Sequence, residues 1–326
     1  MNGVLVTGGL GYIGSHFCFA AEQMGFTPII IDNARDEAIL RKRPGWILEN
    51  RNLEFCDKYF LRELKEKYNI KTIHHFAAHK DAIESMKNPQ KYYDNNVTQG
   101  LFFLESAMQA GFKNFVNSST AAVYGPSEFP SSELSKCAPT NPYGKSKLFF
   151  ETMMIDICGQ NDINYINFRY FNVAGGKIDI NYIDSKSDSL IDRCVRSAIS
   201  EEDFTVFGMR YKTKDGSPVR DFVHVADVAD AHLLAGSYLE MGGKSETLNI
   251  GTGQGSTVLD VVSMVKTVSS KQFDVTALAN RPGDVPMSVA TGLKIKHTLG
   301  WQPRRDLKTI CMDHYDWVTY RPMASE

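Results

Sequence analysis

The sequence has little net charge and no long apolar run. Its 36 Lys and Arg residues nearly balance its 38 Asp and Glu residues, which leaves a formal net charge of −2. This balance argues against a protein that binds nucleic acid by neutralising phosphates, although it leaves room for a local basic pocket that holds a small phosphorylated ligand. No apolar stretch approaches the roughly 18 residues that a membrane-spanning helix needs, so no membrane partner is expected.

Closely spaced cysteines are also missing. No two of the six cysteines lie within four residues of each other, so the chain has no Cys-x-x-Cys metal or redox motif. Met1-Asn2-Gly3 leads directly into an apolar strand, without the basic region and cleavage site of a secretory signal. We therefore expect a cytoplasmic protein with free, mostly buried thiols. The cysteines are Cys18, Cys56, Cys137, Cys158, Cys194 and Cys311.

What the sequence does contain is an alternation of short apolar strands and helical segments over its first 120 residues. Strands separated by helices predict an α/β fold with a doubly wound parallel sheet of the Rossmann type. A chain of 326 residues exceeds the usual size of one hydrophobic core, so two lobes are expected. The predicted strands of the sheet are Gly3–Thr7, Thr27–Asp32, Leu53–Asp57, Thr72–Phe76 and Asn114–Ser118.

The later part of the chain has a different pattern, with glycine-rich turns and short helices, and it defines the expected domains. Residues 1–172 together with about 222–251 are predicted to form a nucleotide-binding Rossmann domain. Residues 173–221 and 252–326 are predicted to form a smaller, partly interleaved C-terminal domain that binds the substrate.

A glycine-rich segment follows the first predicted strand and opens the first predicted helix. It contains Gly-x-Gly-x-x-Gly at Gly9, Gly11 and Gly14. Glycine permits a tight turn and lets the backbone approach a pyrophosphate, while the helix N-terminus supplies N–H groups and a partial positive charge. The segment therefore predicts a dinucleotide site.

Acidic residues at the ends of the next two predicted strands refine this prediction. Asp32 can accept hydrogen bonds from both hydroxyls of an adenosine ribose and would repel a 2′-phosphate, which favours NAD over NADP. Arg35 is the nearby feature that would favour NADP. Asp57 has two interpretations, a contact to the adenine amino group or an N-cap of the helix predicted over Tyr59–Tyr68.

A Tyr-x-x-x-Lys pair stands at the start of a later helix. Tyr143 and Lys147 are four residues apart, so their side chains share one helix face. A nearby ammonium group favours the phenolate and lowers the tyrosine pKa, which suits proton removal from an alcohol as a hydride leaves the same carbon. The pair follows Ser118-Ser119-Thr120, a hydroxyl-rich strand end, by about one loop.

On these residues, the chain resembles the extended short-chain dehydrogenase/reductase family, and within it the 4-epimerases of UDP-glucose and UDP-galactose. The resemblance covers nearly the whole chain. The matching stretches are Thr7–His16, Ile31–Asn33, His75–Lys80, Tyr92–Val97, Ser118–Gly125, Asn141–Lys147, Arg169–Gly175, Asp215–Asp221, His224–Asp227, Asn249–Gly251 and Arg281–Asp284.

The resemblance implies a reversible inversion at C4 of a UDP-hexose. Tyr143 would remove the proton of the 4-hydroxyl as C4 gives a hydride to tightly bound NAD. The 4-keto sugar would then turn about its link to the pyrophosphate and receive the hydride on its other face. Lys147 would bind the nicotinamide ribose and lower the pKa of Tyr143. Thr120, where the family more often has Ser, would hydrogen-bond the 4-oxygen and help to shuttle the proton.

The same resemblance assigns binding residues. Arg220 and Arg281 would meet phosphates, Phe207 would run beside the uracil, and the alternative for Arg220 is a structural ion pair with Asp221. The expected NAD-binding residues are Gly8, Gly11, Tyr12, Ile13, Asp32, Asn33, Asp57, Phe76, Ala77, Lys80, Asn95, Tyr143, Lys147 and Tyr170. The expected substrate-binding residues are Lys80, Thr120, Tyr143, Asn172, Ser189, Leu190, Phe207, Arg220, Arg281, Asp284 and Ser288.

Several positions depart from the family pattern. Ser189-Leu190 stands where the family usually has Asn-Leu or His-Leu near the pyrophosphate, and His79, interpreted as a satisfied loop histidine, replaces a more usual Leu. Ser288 occupies a position beside the sugar where a bulky Tyr restricts the pocket. A small residue there leaves room for an N-acetyl group, so UDP-GlcNAc and UDP-GalNAc are expected as additional substrates, unless other side chains fill the space.

Other enzymes on the same fold carry acidic residues in the segment that follows the Ser or Thr. Sugar-nucleotide 4,6-dehydratases carry Asp-Glu after the Ser or Thr, and UDP-glucuronate decarboxylases carry Ser-Glu in that stretch, whereas this chain has Ala121-Ala122. A 4-epimerase of UDP-glucuronate or UDP-xylose stays open. So does a non-enzymatic NAD-binding sensor, although such proteins usually lose the Tyr/Lys pair.

Two predicted helices also suggest an oligomer. The helices predicted over Lys91–Ala110 and Tyr143–Gln160 are apolar on more than one face. One face must cover the sheet, and the other could pair with a second subunit in a four-helix bundle, as in the family. We therefore expect a homodimer, and the alternative is burial of both faces within one chain.

Overall fold

A seven-stranded sheet is the main element of the computed structural model, which describes residues 2–34, 38–127, 129–180, 189–280 and 285–320. The strands are β1 (Gly3–Thr7), β2 (Thr27–Asp32), β3 (Ile47–Asn50), β4 (Thr72–His75), β5 (Asn114–Thr120), β6 (Asn164–Tyr170), β7 (Asn172–Ala174), β8 (Phe204–Phe207), β9 (Val219–His224), β10 (Glu246–Ile250), β11 (Gly255–Thr257), β12 (Val275–Leu278) and β13 (Met287–Ser288). The helices are α1 (Tyr12–Gln23), α2 (Ala38–Lys42), α3 (Lys58–Tyr68), α4 (Ala82–Lys87), α5 (Pro89–Tyr93), α6 (Gly100–Gln109), α7 (Pro142–Gln160), α8 (Leu190–Ser200), α9 (Val225–Glu240), α10 (Val258–Ser269), α11 (Leu293–Leu299) and α12 (Leu307–Thr319).

The strand order of the large sheet is β10-β6-β5-β4-β1-β2-β3. The strands from β5 to β3 run parallel, with Leu5 opposite Ile29 and Ile73. Every residue of β1 is buried, as in strands that helices cover on both faces. The order reverses between β1 and β4, and ligands of doubly wound sheets bind at the carboxyl ends of the strands at such a point. The predicted α/β fold with a doubly wound parallel sheet is confirmed.

One predicted strand is wrong. The segment Leu53–Phe55 is a 3-10 helix, and the third strand is β3, which pairs with β2. Leu53 and Cys56 are buried while Glu54 and Phe55 are exposed, so the apolar positions recur every three residues. That spacing belongs to a 3-10 turn, whereas a strand buried on one face would alternate.

The chain divides into two compact units. The first consists of residues 1–125, 136–169 and 229–248, and the second of residues 126–135, 170–228 and 249–326. This division places residues 126–135, 170–172, 222–228 and 249–251 in the second unit, whereas the sequence predicted them in the first. Ser131 donates its backbone N–H to Val289 and accepts one from Thr291, which ties residues 126–135 to the second unit. Residues 222–228 belong there because β9 is the central strand of a small sheet with β7, β11 and β13.

The second unit has its own core. The small sheet has the order β11-β9-β13, with β7 also paired to β9, and β8 and β12 form a separate parallel pair. Helices α8, α10 and α12 bury one apolar cluster whose fully enclosed members include Cys194, Val195, Val261, Val265 and Ile310. All six cysteines of the chain carry free thiols, as expected, and Cys137 alone among them is half-buried. Within the described ranges, no helix combines the length and apolar character needed to cross a bilayer.

Buried histidines lie in the core of the first unit. The Nδ1 atoms of His74 and His232 lie 3.2 Å apart, so one neutral ring donates to the other. The ring of Phe17 packs 4.2 Å from that of His74. Burial lowers the pKa of His74 to about 3, and burial together with the charge of Lys147 lowers that of His75 to about 3. Burial lowers the pKa of His232 as well.

These histidines predict an acid-labile fold. A histidine with a lowered folded-state pKa stays neutral in the native chain but takes up a proton in the unfolded chain below about pH 6.5. Its contribution to stability is therefore complete above pH 6.5 and is lost as the pH falls toward 3. We expect the free energy of unfolding to drop between pH 7 and 5.5, by up to ~1.4 kcal/mol per pH unit for each histidine.

Denaturant unfolding at pH 7, 6.5, 6 and 5.5 measures this loss. The range lies above the ordinary titration of carboxyl groups, so the slope reports mainly on histidine. His297→Gln, a change at an exposed histidine, serves as the control and should leave the slope unchanged. Equal stability of the wild type at pH 5.5 and 7 would contradict the prediction.

Candidate active site

The glycine-rich loop between β1 and α1 packs so closely against neighbouring backbone that its glycine positions have no space for a side chain. Gly8 has φ +68°, and a Cβ there would lie 2.7 Å from the backbone nitrogen of Ala77. A Cβ at Gly14 would lie 2.2 Å from the carbonyl oxygen of Gly8. The loop is closed by bonds from Gly8 N–H to Ile31 and from Gly11 N–H to Gly8. Glycine is required because backbone meets backbone here.

The first turn of α1 points its N–H groups toward this loop. The helix begins at Tyr12, with Ile13 next, and its N-cap is Gly11, which has no side chain to satisfy those groups. A helix N-terminus of this kind attracts an anion through its N–H groups and its partial positive charge. The cradle that a Cβ would fill therefore fits the pyrophosphate of a dinucleotide.

Asp32 is held at the end of β2, beside the same loop. One carboxylate oxygen accepts the N–H of Leu10 at 2.9 Å, and the other accepts the N–H of Ala34 at 2.9 Å. Each oxygen keeps a lone pair, so the fixed carboxylate can still accept from ribose hydroxyls. The exposed Asn33 donates its side-chain amide to Asn52 at 2.9 Å. Arg35, which would favour NADP, lies outside the described residues.

Asp57 is the N-cap of α3. A single carboxylate oxygen accepts the N–H groups of Tyr59 at 3.0 Å and Phe60 at 2.9 Å. The N-cap interpretation is confirmed, and the adenine contact stays a prediction.

The loop after β4 is anchored by an asparagine that the sequence analysis missed. Asn96, which is buried, accepts the backbone N–H of His79 at 2.9 Å and donates to its carbonyl at 3.0 Å. It also donates to Ser146 of α7 and accepts from Asn95, a predicted cofactor ligand. The predicted helix over 91–110 is interrupted here by a π-helical segment, Asp94–Gln99. Such segments are frequent at functional sites, and two adjacent Asn residues within an apolar helix were the available signal.

The other predicted cofactor residues of this loop follow β4 directly. Phe76 donates its backbone N–H to the carbonyl of Thr7, and Ala77 donates to the Thr7 hydroxyl. Lys80 is exposed. The loops after β1 and β4 are therefore joined at the carboxyl ends of these two strands.

Tyr143 and Thr120 form the reactive pair of the first unit. Asn141 caps α7 by accepting the N–H of Gly144 at 2.8 Å. A Cβ on Gly144 would lie 2.7 Å from the carbonyl of Ala122, so the absence of a side chain brings the start of α7 against the end of β5. The Thr120 hydroxyl hydrogen-bonds the Tyr143 phenol. The two hydroxyl groups are therefore neighbours at the carboxyl end of β5.

The pKa of Tyr143 moves in the direction opposite to the one expected. Burial raises it, and the hydrogen bond with Thr120 only partly opposes that rise. Lys147, which was expected to lower it, is almost fully buried and donates its ammonium to the carbonyl of Ser118 at 2.7 Å. Burial lowers the pKa of Lys147 to about 8, against the charge of Glu151. Desolvation therefore outweighs the hydrogen bond from Thr120 in setting the pKa of Tyr143.

A buried ion pair next to this site was not predicted. Glu151 of α7 bonds Arg169 of β6, with 2.6 Å between the closest atoms. Ser119 donates its hydroxyl to the same carboxylate. The spacing of Tyr143, Lys147 and Glu151 at four-residue intervals on one helix face was the signal that could have found it.

The predicted substrate residues of the second unit share its small sheet. Asn172 of β7 lies opposite Phe222 of β9, and Ser288 of β13 lies opposite Arg220 of β9. Arg220 donates to the carbonyls of Val219 at 2.9 Å and Val285 at 2.8 Å. Three of the predicted substrate residues thus meet on neighbouring strands.

Asp221, the partner in the alternative ion pair, is held mainly by backbone groups. Its carboxylate accepts from Thr252 N–H at 2.7 Å, the Thr252 hydroxyl at 2.6 Å, Gly253 N–H at 2.9 Å and Ala290 N–H at 3.1 Å. Three of these bonds hold the turn after β10 to β9, and the bond from Ala290 holds the segment after β13 to the same strand. Asp221 therefore has a structural role without a guanidinium partner being required.

The remaining predicted residues lie on other elements of the second unit. Ser189 is the N-cap of α8, where its hydroxyl accepts the N–H of Asp192, and Leu190 begins the helix. Phe207 ends β8, and the Arg193 guanidinium lies 5.5 Å from its ring centroid. Tyr170, the last residue of β6, is buried. Arg281 and Asp284 lie outside the described residues.

Comparison with known proteins decides the family. The family model of the NAD dependent epimerase/dehydratase family matches residues 4–251. This chain belongs to that family. The resemblance to the epimerases of the extended short-chain dehydrogenase/reductase family is thereby confirmed.

Relatives of this family member match it along nearly its whole length. UDP-glucose 4-epimerase of Rhizobium meliloti is 37% identical over 324 residues, 98% of both chains. That of Dictyostelium discoideum is 35% identical over 331 residues, 98% of this chain and 96% of the relative. A UDP-glucose 4-epimerase structure from Stenotrophomonas maltophila, with bound NAD and formylated UDP-arabinopyranose, has a TM-score of 0.93 at 32% identity and covers 99% of both chains. The UDP-Glc/GlcNAc 4-epimerase of Campylobacter jejuni has a TM-score of 0.82 at 34% identity, covering 97% of this chain and 99% of its own.

Proposed function

We propose that this protein is a UDP-glucose 4-epimerase that interconverts UDP-glucose and UDP-galactose with tightly bound NAD. The observation that carries the proposal is the hydrogen-bonded pair of Tyr143 and Thr120, with the Lys147 ammonium one turn along the same helix. The pair stands at the carboxyl end of β5, in the sheet whose β1 and β2 ends carry the Gly8 loop and Asp32. The full-length relatives named above support the same activity.

The residues of the first unit fit NAD. The Gly8–Gly14 loop and the start of α1 would hold the pyrophosphate, and Asp32 would accept from the adenosine ribose. When bound, NAD supplies a hydride acceptor that returns the hydride, so the reaction has no net redox change. Lys147 would bind the nicotinamide ribose, and its charge would favour the Tyr143 phenolate.

Within this scheme, the chain moves one proton and holds one end of the substrate. Tyr143 takes the proton of the sugar 4-hydroxyl, and Thr120 bonds the 4-oxygen and relays the proton. In the second unit, Asn172 and Arg220 hold the UDP part, so that the 4-keto sugar can turn about its link to the pyrophosphate. Arg220 suits a phosphate because its planar guanidinium can donate two parallel bonds. After the turn, the opposite face of C4 is presented to the proton donor and the hydride, so the configuration at C4 is inverted.

Incubation with UDP-galactose and detection of UDP-glucose by NMR tests the proposal directly. We expect conversion to an equilibrium mixture without added NAD. A panel that also contains UDP-glucuronate and UDP-xylose tests the alternative epimerases. Protein that contains NAD but converts no UDP-sugar would support the non-enzymatic sensor. The side chains of Ala121 and Ala122 carry no acid or base, so no 4,6-dehydrated product is expected.

Ser288 predicts an extended substrate range. Its small side chain is half-buried opposite Arg220, and a side chain of this size would leave room for an N-acetyl group on the sugar unless other side chains fill the space. We expect the wild type to epimerise UDP-GlcNAc and Ser288→Tyr to lose at least about tenfold in kcat/KM for it while retaining activity on UDP-glucose. Ser288→Ala, which keeps the space, is the control and should process both sugars. Equal processing of UDP-GlcNAc by the wild type and Ser288→Tyr would contradict the role of Ser288.

The outer face of α6 and α7 supports a homodimer through a four-helix bundle. Phe102 is 40% exposed, Phe149 is 49% exposed and Ile155 is 45% exposed, while Phe150 and Met154 on the other face of α7 are buried. The ring of Phe149 stacks on that of Tyr93 at 6.0 Å. Such an apolar face is typical of helices that pair with a second subunit.

Substitution of Phe149 tests the dimer. We expect light scattering at micromolar concentration to give a dimer mass for the wild type and a monomer mass for Phe149→Lys. Ile199→Lys, at a residue of α8 that is 41% exposed, is the control and should stay dimeric. A monomeric wild type would refute the dimer.

We also propose a cytoplasmic location, which the six free thiols support.

A further inference from the structure

A buried charge cluster lies behind the reactive pair and plays no part in the scheme above. Glu151 is 1% exposed, and both of its oxygens accept from the Arg169 Nε at 3.1 Å, one of them also from Nη2 at 2.6 Å. The Ser119 hydroxyl donates to the same carboxylate. On its other side, Arg169 donates to the Tyr124 hydroxyl at 3.0 Å. The carboxylate and the guanidinium are thus paired with each other in the interior of the first unit.

This cluster joins the two elements that carry the reactive groups. Ser119 stands between Ser118, whose carbonyl accepts from Lys147 at 2.7 Å, and Thr120, whose hydroxyl bonds Tyr143. Glu151 lies one turn beyond Lys147 and two turns beyond Tyr143 on α7. Three consecutive residues of β5 therefore bond three positions of α7 that are one turn apart.

Stability alone does not explain a charge pair at this place. A buried ion pair can often be replaced by apolar residues of similar volume without loss of stability, because desolvation offsets the attraction between the charges. The cluster instead connects β5, through Ser119, with α7, through Glu151. It fixes both the position of α7 along β5 and the distance between the two elements.

We propose that Glu151 is a positioning residue for the proposed epimerase reaction: through Ser119 and Arg169 it fixes β5 against α7, so that Thr120 meets the Tyr143 phenol and Ser118 meets the Lys147 ammonium. The inference rests on the proposed function. Glu151 acts through these residues and has no contact with substrate in this scheme.

The charge of Glu151 has a second consequence for Lys147. It raises the pKa of Lys147, in opposition to burial, which lowers that pKa to about 8. A further titratable group that interacts with Lys147 is His75, which stays neutral because its pKa is lowered to about 3. Glu151 is therefore the nearby group whose charge keeps Lys147 protonated near neutral pH.

Two variants separate the effect of the hydrogen bond between Ser119 and Glu151 from the effect of the negative charge of Glu151. Glu151→Gln keeps the shape of the side chain and removes its charge, whereas Ser119→Ala keeps the charge and removes the bond to β5. We expect each to lower kcat by tenfold to about a hundredfold with little change in KM, since small misplacements of reacting groups have effects of this size. Their effects should be less than additive in the double variant. Ser106→Ala, at a buried serine of α6, is the control for loss of a hydroxyl group.

The pH dependence of Lys147 acylation, followed by mass spectrometry in the protein freed of NAD, provides a readout besides activity. In Glu151→Gln, the midpoint of labelling should move to lower pH than in the wild type. In Ser119→Ala it should stay at the wild-type value.

The outcomes decide between positioning and a purely structural role. Wild-type kcat and an unshifted labelling midpoint in folded variants, with only a lower melting temperature, would overturn the proposal. If Glu151→Gln does not fold, wild-type kcat in Ser119→Ala overturns it alone. If the wild type converts no UDP-sugar, the proposed function fails, and the labelling midpoint still decides whether Glu151 controls the charge of Lys147.

Discussion

Replacement of Tyr143 with phenylalanine is expected to lower kcat for the interconversion of UDP-galactose and UDP-glucose by roughly 10²–10⁴-fold, the usual contribution of one acid–base group. The variant removes only the hydroxyl that Thr120 bonds. Phenylalanine keeps the ring and its packing, so we expect the fold of the variant to be unchanged. Steady-state kinetics with each sugar nucleotide, together with circular dichroism, measures both effects.

The matched control for this variant is Tyr59→Phe. Tyr59 lies on α3 and is 67% exposed, so its hydroxyl has no part in the site. The control should retain wild-type kcat and KM. Tyr143→Phe with more than a tenth of wild-type kcat would reject Tyr143 as the proton acceptor. NAD content should be equal in the two variants, which separates a chemical defect from a binding defect.

Gly14→Ala is expected to lower NAD affinity by about a hundredfold or more, or to prevent folding of the first unit. Alanine favours a helix over glycine by roughly 1 kcal/mol, so propensity alone would predict a gain. A Cβ at this position would however lie 2.2 Å from the carbonyl of Gly8 and 2.9 Å from the Cα of Gly9. Neither is the mobile end of a side chain, so the loop must move away from α1, and the pyrophosphate cradle is lost.

Gly159→Ala gives the control for Gly14→Ala. Gly159 also lies in a helix, α7, and a Cβ there meets nothing within 4 Å. This variant should bind NAD normally and be stabilised by roughly 0.5–1 kcal/mol. Calorimetric titration with NAD and thermal unfolding compare the two variants. Unchanged NAD affinity in Gly14→Ala would show that the loop tolerates the shift and that this glycine is not needed.

The parts of the fold that were predictable depend on short-range patterns. Helix α3 and strands β1, β2 and β4 were predicted within one or two residues because each carries its own apolar period and its own cap or turn signal. β3 was misplaced because its four residues carry a weak signal and its identity depends on pairing with β2. The segment 126–135 was assigned to the other unit because its bonds to Val289 and Thr291 span more than a hundred residues.

The site shows the same division between sequence and tertiary structure. The sequence by itself determined the glycine loop, Asp32 and the Tyr143/Lys147 pair, since their chemistry depends on spacing along one strand or one helix turn. Only the tertiary structure decided that burial raises the pKa of Tyr143, and that Glu151 meets Arg169 and Ser119 from two different strands. Desolvation and ion pairing depend on what surrounds a group in space, and those neighbours are brought together only when the sheet and α7 have packed.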